Sequence, residues 1–260
     1  MLKAITPVIL TYNEEANIGR TLSALNWADD IVVVDSYSTD ATIPIVSGFL
    51  NVRIVQRRFD KHANQWNFAI AETDIATDWI LALDADYLLT AEFVTELAGL
   101  APGDCDAYSA DFIYCIKGHR LRGGLYPRAT LLFRRQGARY VQSGHTQRLE
   151  VAGPVQRLSA KVLHDDRKSL ARWLRSQQNY ARLEAEHLLA DPPAGLRAID
   201  RLRRMAWPAP ILMFFYALLI KGCILDGWPG WLYVLQRTLA EIIIAMEIVD
   251  RSLREDKPTP

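Results

Sequence analysis

The chain has 260 residues, half of them hydrophobic and 23% charged, and its 30 basic and 30 acidic side chains cancel. That length suits one large domain, or one domain with an appendage. The neutral balance argues against a dedicated nucleic-acid binder, which is normally basic overall.

The first hundred residues alternate strand and helix signals. Ile5 to Leu10, Ile31 to Val34, Val52 to Val55 and Trp79 to Leu83 are short apolar runs rich in Val and Ile. Between them lie amphipathic segments at Asn17 to Leu25, Ala41 to Phe49 and His62 to Ala71. Continuous apolar strands alternating with helices predict a parallel sheet covered on both faces. Residues 107–163 are more β-like, and Lys168 to Leu189 returns to helical spacing. DPPAG at 191–195 breaks the chain. Beyond it an arginine cluster (Arg197, Arg201, Arg203, Arg204) leads into two apolar helix candidates.

Cys105, Cys115 and Cys223 are odd in number and lack metal-ligand spacing, so they read as thiols of a reducing compartment. The N-terminal MLKAITPVILTYNEE has neither the length nor the cleavage site of a signal peptide, which makes cytoplasmic residence the expectation.

Ligands of open α/β sheets bind at the carboxyl ends of the strands. There the chain reads TYNEE after Leu10, DSYSTD after Val34 and DADY after Leu83. Strand side chains alternate faces, so Asp84 and Asp86 project together if the strand persists through Ala85. Neighbouring carboxylates repel unless a cation sits beside them. Magnesium or manganese suits such hard oxygen ligands and leaves positions for phosphate oxygens. A lone D-x-D is common by chance, and its other reading is the polar end of a strand. Asp35 suits a base or ribose, or equally a turn or N-cap. Asn13 is a candidate N-cap with Glu14 and Glu15 in the first helical turn. Tyr12 suits stacking on a base or simple packing.

The blocks PVILTYNEEANIGRTL, IVVVDSYSTDAT, KHANQWNFAI and DWILALDADY, in this order and at these intervals, resemble the family 2 glycosyltransferases of GT-A fold over residues 1 to about 100. The resemblance implies an α/β class: a GT-A nucleotide-sugar-binding domain with a mostly parallel central sheet over residues 1–190. A C-terminal helical, membrane-associating appendage over 191–260 completes that reading. It implies that Leu10, Tyr12, Glu14, Asp35, Lys61, Gln65, Asn67, Asp84, Ala85 and Arg128 bind the nucleotide-sugar. Asp84 and Asp86 would hold a divalent metal (Mg2+ or Mn2+) and the diphosphate.

GGLYPRATLLFRR, GHTQRLEVAGPV and VLHDDRKSLARWLRSQQNYARLEA are similar to the lipopolysaccharide core β-1,4-glucosyltransferase branch. That likeness implies His164 as a third metal or diphosphate ligand, a surface turn being the alternative. Asp165 and Asp166 equally suit a cap for the following helix. The chain departs from the branch where Trp66 replaces an arginine, leaving Lys61, His62 or Arg128 to supply the missing charge. It departs again where Thr146 replaces a glutamate suited to be the base. His145, with a pKa near neutrality, and Asp111 are the remaining candidates for that role. Tyr87 stands where the branch often carries glutamate. Gly123, Gly124, Tyr126 and Arg128 would shape the donor or acceptor pocket, or only a glycine turn.

The implied reaction is inverting transfer of a sugar, by analogy glucose, from a UDP-sugar to a membrane-borne glycolipid or lipopolysaccharide core acceptor. Two alternatives stand beside it: a polyprenyl-phosphate acceptor, which needs no general base, and a silent nucleotide-sugar-binding protein. The apolar run 206–220 is short for a span, which takes ~20 residues. With flanking arginines and Trp207, Trp228, Trp231 and Tyr233, it suits the inner leaflet of the membrane, as a peripheral or monotopic element. A buried hairpin or a homo-oligomer contact is the other reading.

Overall fold

A computed structural model describes residues 1–101, 103, 105–143, 146–190 and 198–255. Strands β1 (Ile5–Thr11), β2 (Ile31–Asp35), β3 (Val52–Gln56) and β4 (Trp79–Asp84) follow the four apolar runs. The segments joining them are α1 (Ile18–Ser23), α2 (Thr42–Val46) and α3 (His62–Ala71). The chain then forms β5 (Tyr87–Leu88), α4 (Ala91–Gly99), β6 (Ala107–Ala110), β7 (Phe112–Ile116) and β8 (His119–Arg120). It continues with β9 (Ala129–Arg134), β10 (Arg139–Ser143), β11 (Thr146–Glu150), β12 (Val155–Arg157) and β13 (Val162–His164).

The main sheet runs β12-β6-β9-β4-β1-β2-β3. Only β9 is antiparallel to its neighbours, β4 and β6; the pairings of β4, β1, β2 and β3 are parallel. Strand alternation divides the core between the two faces. Ile5, Ile9, Ile31, Val33, Leu81 and Leu83 pack with Ile18 and Leu22 of α1 and Phe93 of α4. Val8, Val32, Val34, Ile80 and Ala82 face Ala63, Trp66 and Ala69 of α3. Burial on both faces explains why these strands read as unbroken apolar runs. A smaller sheet, β5-β13-β7-β8, stands beside the end of β4. β10 and β11 pair antiparallel on their own.

The chain divides into two compact units, Met1–Arg120 with Tyr126–Arg167, and Leu121–Leu125 with Lys168–Pro260. Their limit falls at 167/168, so the long helix that follows belongs to the second unit. That unit contains α5 (Leu170–Ala190), α6 (Ala198–Arg204), α7 (Pro208–Phe215) and α8 (Gly227–Glu255). Pro208 opens α7, where a missing N–H costs nothing. A π-helical turn, Tyr216–Ile220, ends it. Gly222 and Gly227, both at positive φ, bracket the short 3-10 turn Cys223–Asp226 before α8.

Arg203 is the polar hub of this unit. Its guanidinium meets Glu241 at 2.6 and 3.0 Å, Glu184 at 3.3 Å and Asp200 at 3.9 Å, joining α5, α6 and α8. Beside it, Ala185 and Leu188 of α5 pack on Ile248 of α8. The segment Leu121–Leu125 is held in the same unit. Leu125 N–H donates to the Tyr233 hydroxyl at 2.7 Å, and Arg122 N–H to Asp226 at 3.0 Å.

Two capping expectations are corrected. Asn13 is not an N-cap: it takes φ +55°, and the N-cap position of α1 is Asn17, four residues later. Glu14 and Glu15 therefore lie in a loop. Asp165 and Asp166 do not cap α5 either; Ser169 does, its hydroxyl accepting from Arg172 N–H at 3.3 Å.

Candidate active site

Parallel register brings the three polar loops together. Thr11 lies opposite Asp35, and Leu10 opposite Asp84, so TYNEE, DSYSTD and DADY leave the sheet at one edge. Leu10 takes part through its strand position, beside Asp84.

The first two loops are bound to each other. Asn13 N–H donates to Ser38 Oγ at 2.7 Å, and Asn13 Oδ1 accepts from Thr39 N–H at 2.7 Å. Glu14 N–H donates to Thr42 Oγ1 at 2.6 Å, and the Glu15 carboxylate accepts from Ala41 N–H at 3.0 Å. The Glu14 carboxylate accepts from Asn17 Nδ2 at 2.9 Å. Asp35, fully buried, accepts from the Thr11 and Ser38 hydroxyls, Ser38 N–H and Gln56 Nε2 at 2.5–3.3 Å. Asp35 thus holds the DSYSTD loop against the end of β1. Tyr12 and Tyr37 stand 56% and 49% exposed on these neighbouring loops. Tyr37 was not singled out from the sequence; its positive φ of 61° is visible only in the fold.

At the third loop the chain reverses between the two aspartates. Ala85 is buried, and its carbonyl accepts the Thr21 hydroxyl at 2.6 Å. Asp84 is left exposed at the tip of β4. Asp86 turns toward His164, its Oδ2 lying 3.4 Å from Nε2. β13 makes this meeting possible, because His164 pairs with Tyr87 on one side and Tyr114 on the other. The backbone N–H of Asp165 also donates to the Asp86 carbonyl at 3.0 Å.

The residues after His164 fasten this strand to α1. Asp165, buried, accepts from Arg20 and Arg167 at 2.8 Å and from Gly118 N–H at 2.9 Å. Asp166 accepts from Asn17 at 2.9 Å.

An aromatic wall surrounds the histidine. Tyr126 stacks on His164 at 4.2 Å, Tyr114 lies at 4.8 Å and Tyr87 at 5.7 Å. The Tyr87 and Tyr126 hydroxyls share a 2.6 Å hydrogen bond. Burial pushes both phenols far above their ordinary range, and Asp84 pushes them further. Both therefore remain neutral. Tyr87 thus supports the histidine, which accounts for its place after the second aspartate.

Two carboxylates and an imidazole are chemically suited to magnesium or manganese. Among the described residues, no three His, Cys, Asp or Glu side chains converge to hold an ion alone. The donor set therefore fits an ion held by one or two carboxylates and completed by ligand oxygens, as magnesium commonly is.

The family model for glycosyl transferase family 2 matches residues 6–153, more than half of the chain. This chain belongs to glycosyl transferase family 2. It is 27% identical over 249 residues to a glycosyltransferase of Rickettsia bellii, covering 89% of this chain and 81% of the relative. It is 30% identical over 86 residues to the lipopolysaccharide core biosynthesis glycosyltransferase LpsC of Rhizobium meliloti, covering 32% and 31% of the two chains. Among solved structures, S. aureus TarS 1–349 in complex with UDP is similar at 15% identity and TM-score 0.47, covering 98% of this chain and 93% of that one.

For a family 2 glycosyltransferase the remaining expectations divide by what each side chain touches. Asn67 is corrected from donor ligand to strut: its amide exchanges two 2.8 Å hydrogen bonds with the Tyr140 backbone of β10. Trp66 is 4% exposed and stacks on Tyr140 at 5.3 Å, so the position that held an arginine in the branch is core here. Gln65, also buried, accepts from Arg57 at 2.6 Å. Arg57, which follows β3, also ion-pairs with Asp60 at 2.9 Å. Lys61 is exposed at the start of α3.

Arg128 and Arg157 both ion-pair with Asp111 and hold its carboxyl below the usual range. That arrangement makes Asp111 a poor proton acceptor and ties Arg128 to an ion pair at its side. His145 lies outside the described residues. Gly123 permits a close backbone contact: a Cβ there would meet the Lys221 carbonyl oxygen at 1.8 Å.

Proposed function

We propose that this transferase moves a sugar, glucose by analogy, from a UDP-sugar to a membrane-borne glycolipid or lipopolysaccharide core acceptor. The observation that carries the reading is the single edge where Leu10, Asp84, Thr11 and Asp35 lie in register. It sets the TYNEE and DSYSTD loops beside the end of β4 that carries Asp84, as a nucleotide-sugar requires. Tyr12 and Tyr37 offer exposed rings for the base. Asp84 and Asp86 would offer carboxylate oxygens to a divalent cation, which would supply Lewis-acid stabilisation of the leaving diphosphate, with His164, beside Asp86, as a ligand of the diphosphate. The Tyr87–Tyr126 wall orients His164 and keeps water from its ring face.

Support for a lipid-borne acceptor comes from the second unit, where Trp207, Ile220, Leu225 and Trp228 are 67–84% exposed, and from the likeness to LpsC. Among the described residues no single helix is long and apolar enough to cross a membrane. Pro208–Ile220 and Cys223–Arg254, bent by 65°, pass that test only together. The reading is a unit lying on the inner leaflet, on the cytoplasmic side.

The pairing of Asp111 with two arginines favours a second reading, transfer to a polyprenyl phosphate whose oxygen is already ionised. Both are tested by following label from UDP-glucose into a lipid extract, polyprenyl phosphate or a water-soluble core saccharide, with manganese or chelator. Transfer to the extract that chelator and Asp86→Ala each abolish is expected. Donor binding without turnover on any acceptor would leave a silent binding protein, and no binding of any nucleotide-sugar would overturn the assignment.

A further inference from the structure

The second unit encloses a cavity of about 710 Å³, within the size range of small-molecule sites, about 300–1,000 Å³. Its wall is mainly apolar, with Leu212 and Met213 from α7, and Tyr216 and Leu219 from the π-helical turn. Leu212, Tyr216 and Leu219 are also 41–55% exposed, so the cavity opens through an apolar rim. Insertions that widen a helix to a π turn occur frequently at functional sites.

Three charged side chains reach this wall: Arg203, Glu241 and Arg237. Arg203 and Glu241 satisfy each other through two hydrogen bonds. Arg237 differs. Its Nε is buried without a hydrogen-bond partner, and it makes no ion pair among the described residues. A cation beside an apolar cavity, with its charge uncommitted, complements an amphiphile with an anionic head.

We propose that this cavity takes one hydrocarbon chain of a phosphate-headed lipid, with Arg237 pairing the phosphate. The inference rests on the reading of this unit as membrane-facing and adds to it a discrete site of single occupancy. Apolar exposure alone produces surface adsorption without stoichiometry, whereas a cavity with one uncommitted cation binds one chain and discriminates by head charge.

The test uses the full chain and decyl phosphate below its micelle concentration, followed by titration calorimetry, with decanol as the uncharged comparison. Saturable one-to-one binding of decyl phosphate is expected. Arg237→Gln should weaken it about tenfold, the scale of a charged hydrogen bond, and leave decanol unchanged. Leu219→Trp, which fills the cavity from its exposed rim, should weaken both ligands; Met213→Trp repeats the test from the α7 side. Melting curves of each variant establish that it is folded. Uptake of many ligands without saturation, or equal binding by all folded variants, overturns the proposal. Flotation with anionic vesicles separates it from the broader reading. Protein that does not float yet binds decyl phosphate one to one keeps the cavity and loses the membrane contact. Protein that floats without binding decyl phosphate loses the cavity.

Discussion

Trp66 shows how a single position separates family pattern from local physics. Its ring is buried against Tyr140, while Asn67 beside it clasps the same strand. Restoring the branch's arginine with Trp66→Arg would remove that packing and bury an unpaired cation. A loss of about 3–5 kcal/mol is expected from the cavity alone, measured by denaturant unfolding. Wild-type stability would show that the position accommodates a solvent-reaching cation after all. Asp84 and Asp86 were legible from the sequence because two acids closing an apolar run demand a reason. Asn67 and Asp35 were not legible in the same way. A polar side chain near a strand end reads alike whether its partner is a ligand or its own loop, and only the hydrogen bonds distinguish the two. Asp111 belongs with them: its identity made it a candidate base, and Arg157, 46 residues away, removes it from that role.

At the level of elements, the four N-terminal strands emerge where the apolar runs place them, because burial on both faces leaves no polar interruption. The helices α1 and α2 are shorter than their amphipathic segments, mostly at their C-terminal ends, where i to i−3 turn bonds such as Leu25 N–H to the Leu22 carbonyl and Phe49 N–H to the Val46 carbonyl replace helical ones. The insertion of β9 between β4 and β6 was not legible, because its partners lie far away in the chain. Gly123 likewise reads as a turn and proves to be a contact. A methyl group there meets the Lys221 carbonyl, and backbone must shift to admit it. Gly123→Ala is expected to cost about 3 kcal/mol or more and to raise protease sensitivity in the second unit. Gly99→Ala, where a Cβ meets nothing within 4 Å, serves as the control and should be neutral or slightly stabilising. Equal effects of the two changes would refute the packing role.

Across the whole molecule, zero net charge conceals a local imbalance: α6 carries Arg201, Arg203 and Arg204 within seven residues. Arg203 is committed to its acidic hub, whereas Arg201 is exposed on the same helix, and a basic residue at an anionic surface contributes about 1 kcal/mol. Vesicle binding should therefore be only partly salt-sensitive. Flotation with anionic vesicles is expected to weaken modestly at high salt and severely in Leu225→Ser with Trp228→Ser. Loss by salt alone, with the double variant unaffected, would assign the contact to charge and not to apolar insertion. The sequence by itself determined the α/β class, the strand ends that carry polar loops and the family, because these rest on local periodicity and on short motifs. The tertiary structure decided which acids are exposed at the strand ends, which are bound to arginines and loops, and how Tyr87, Tyr126 and His164 form one wall. Those outcomes depend on residues distant in the chain that meet only when β13 pairs between β5 and β7.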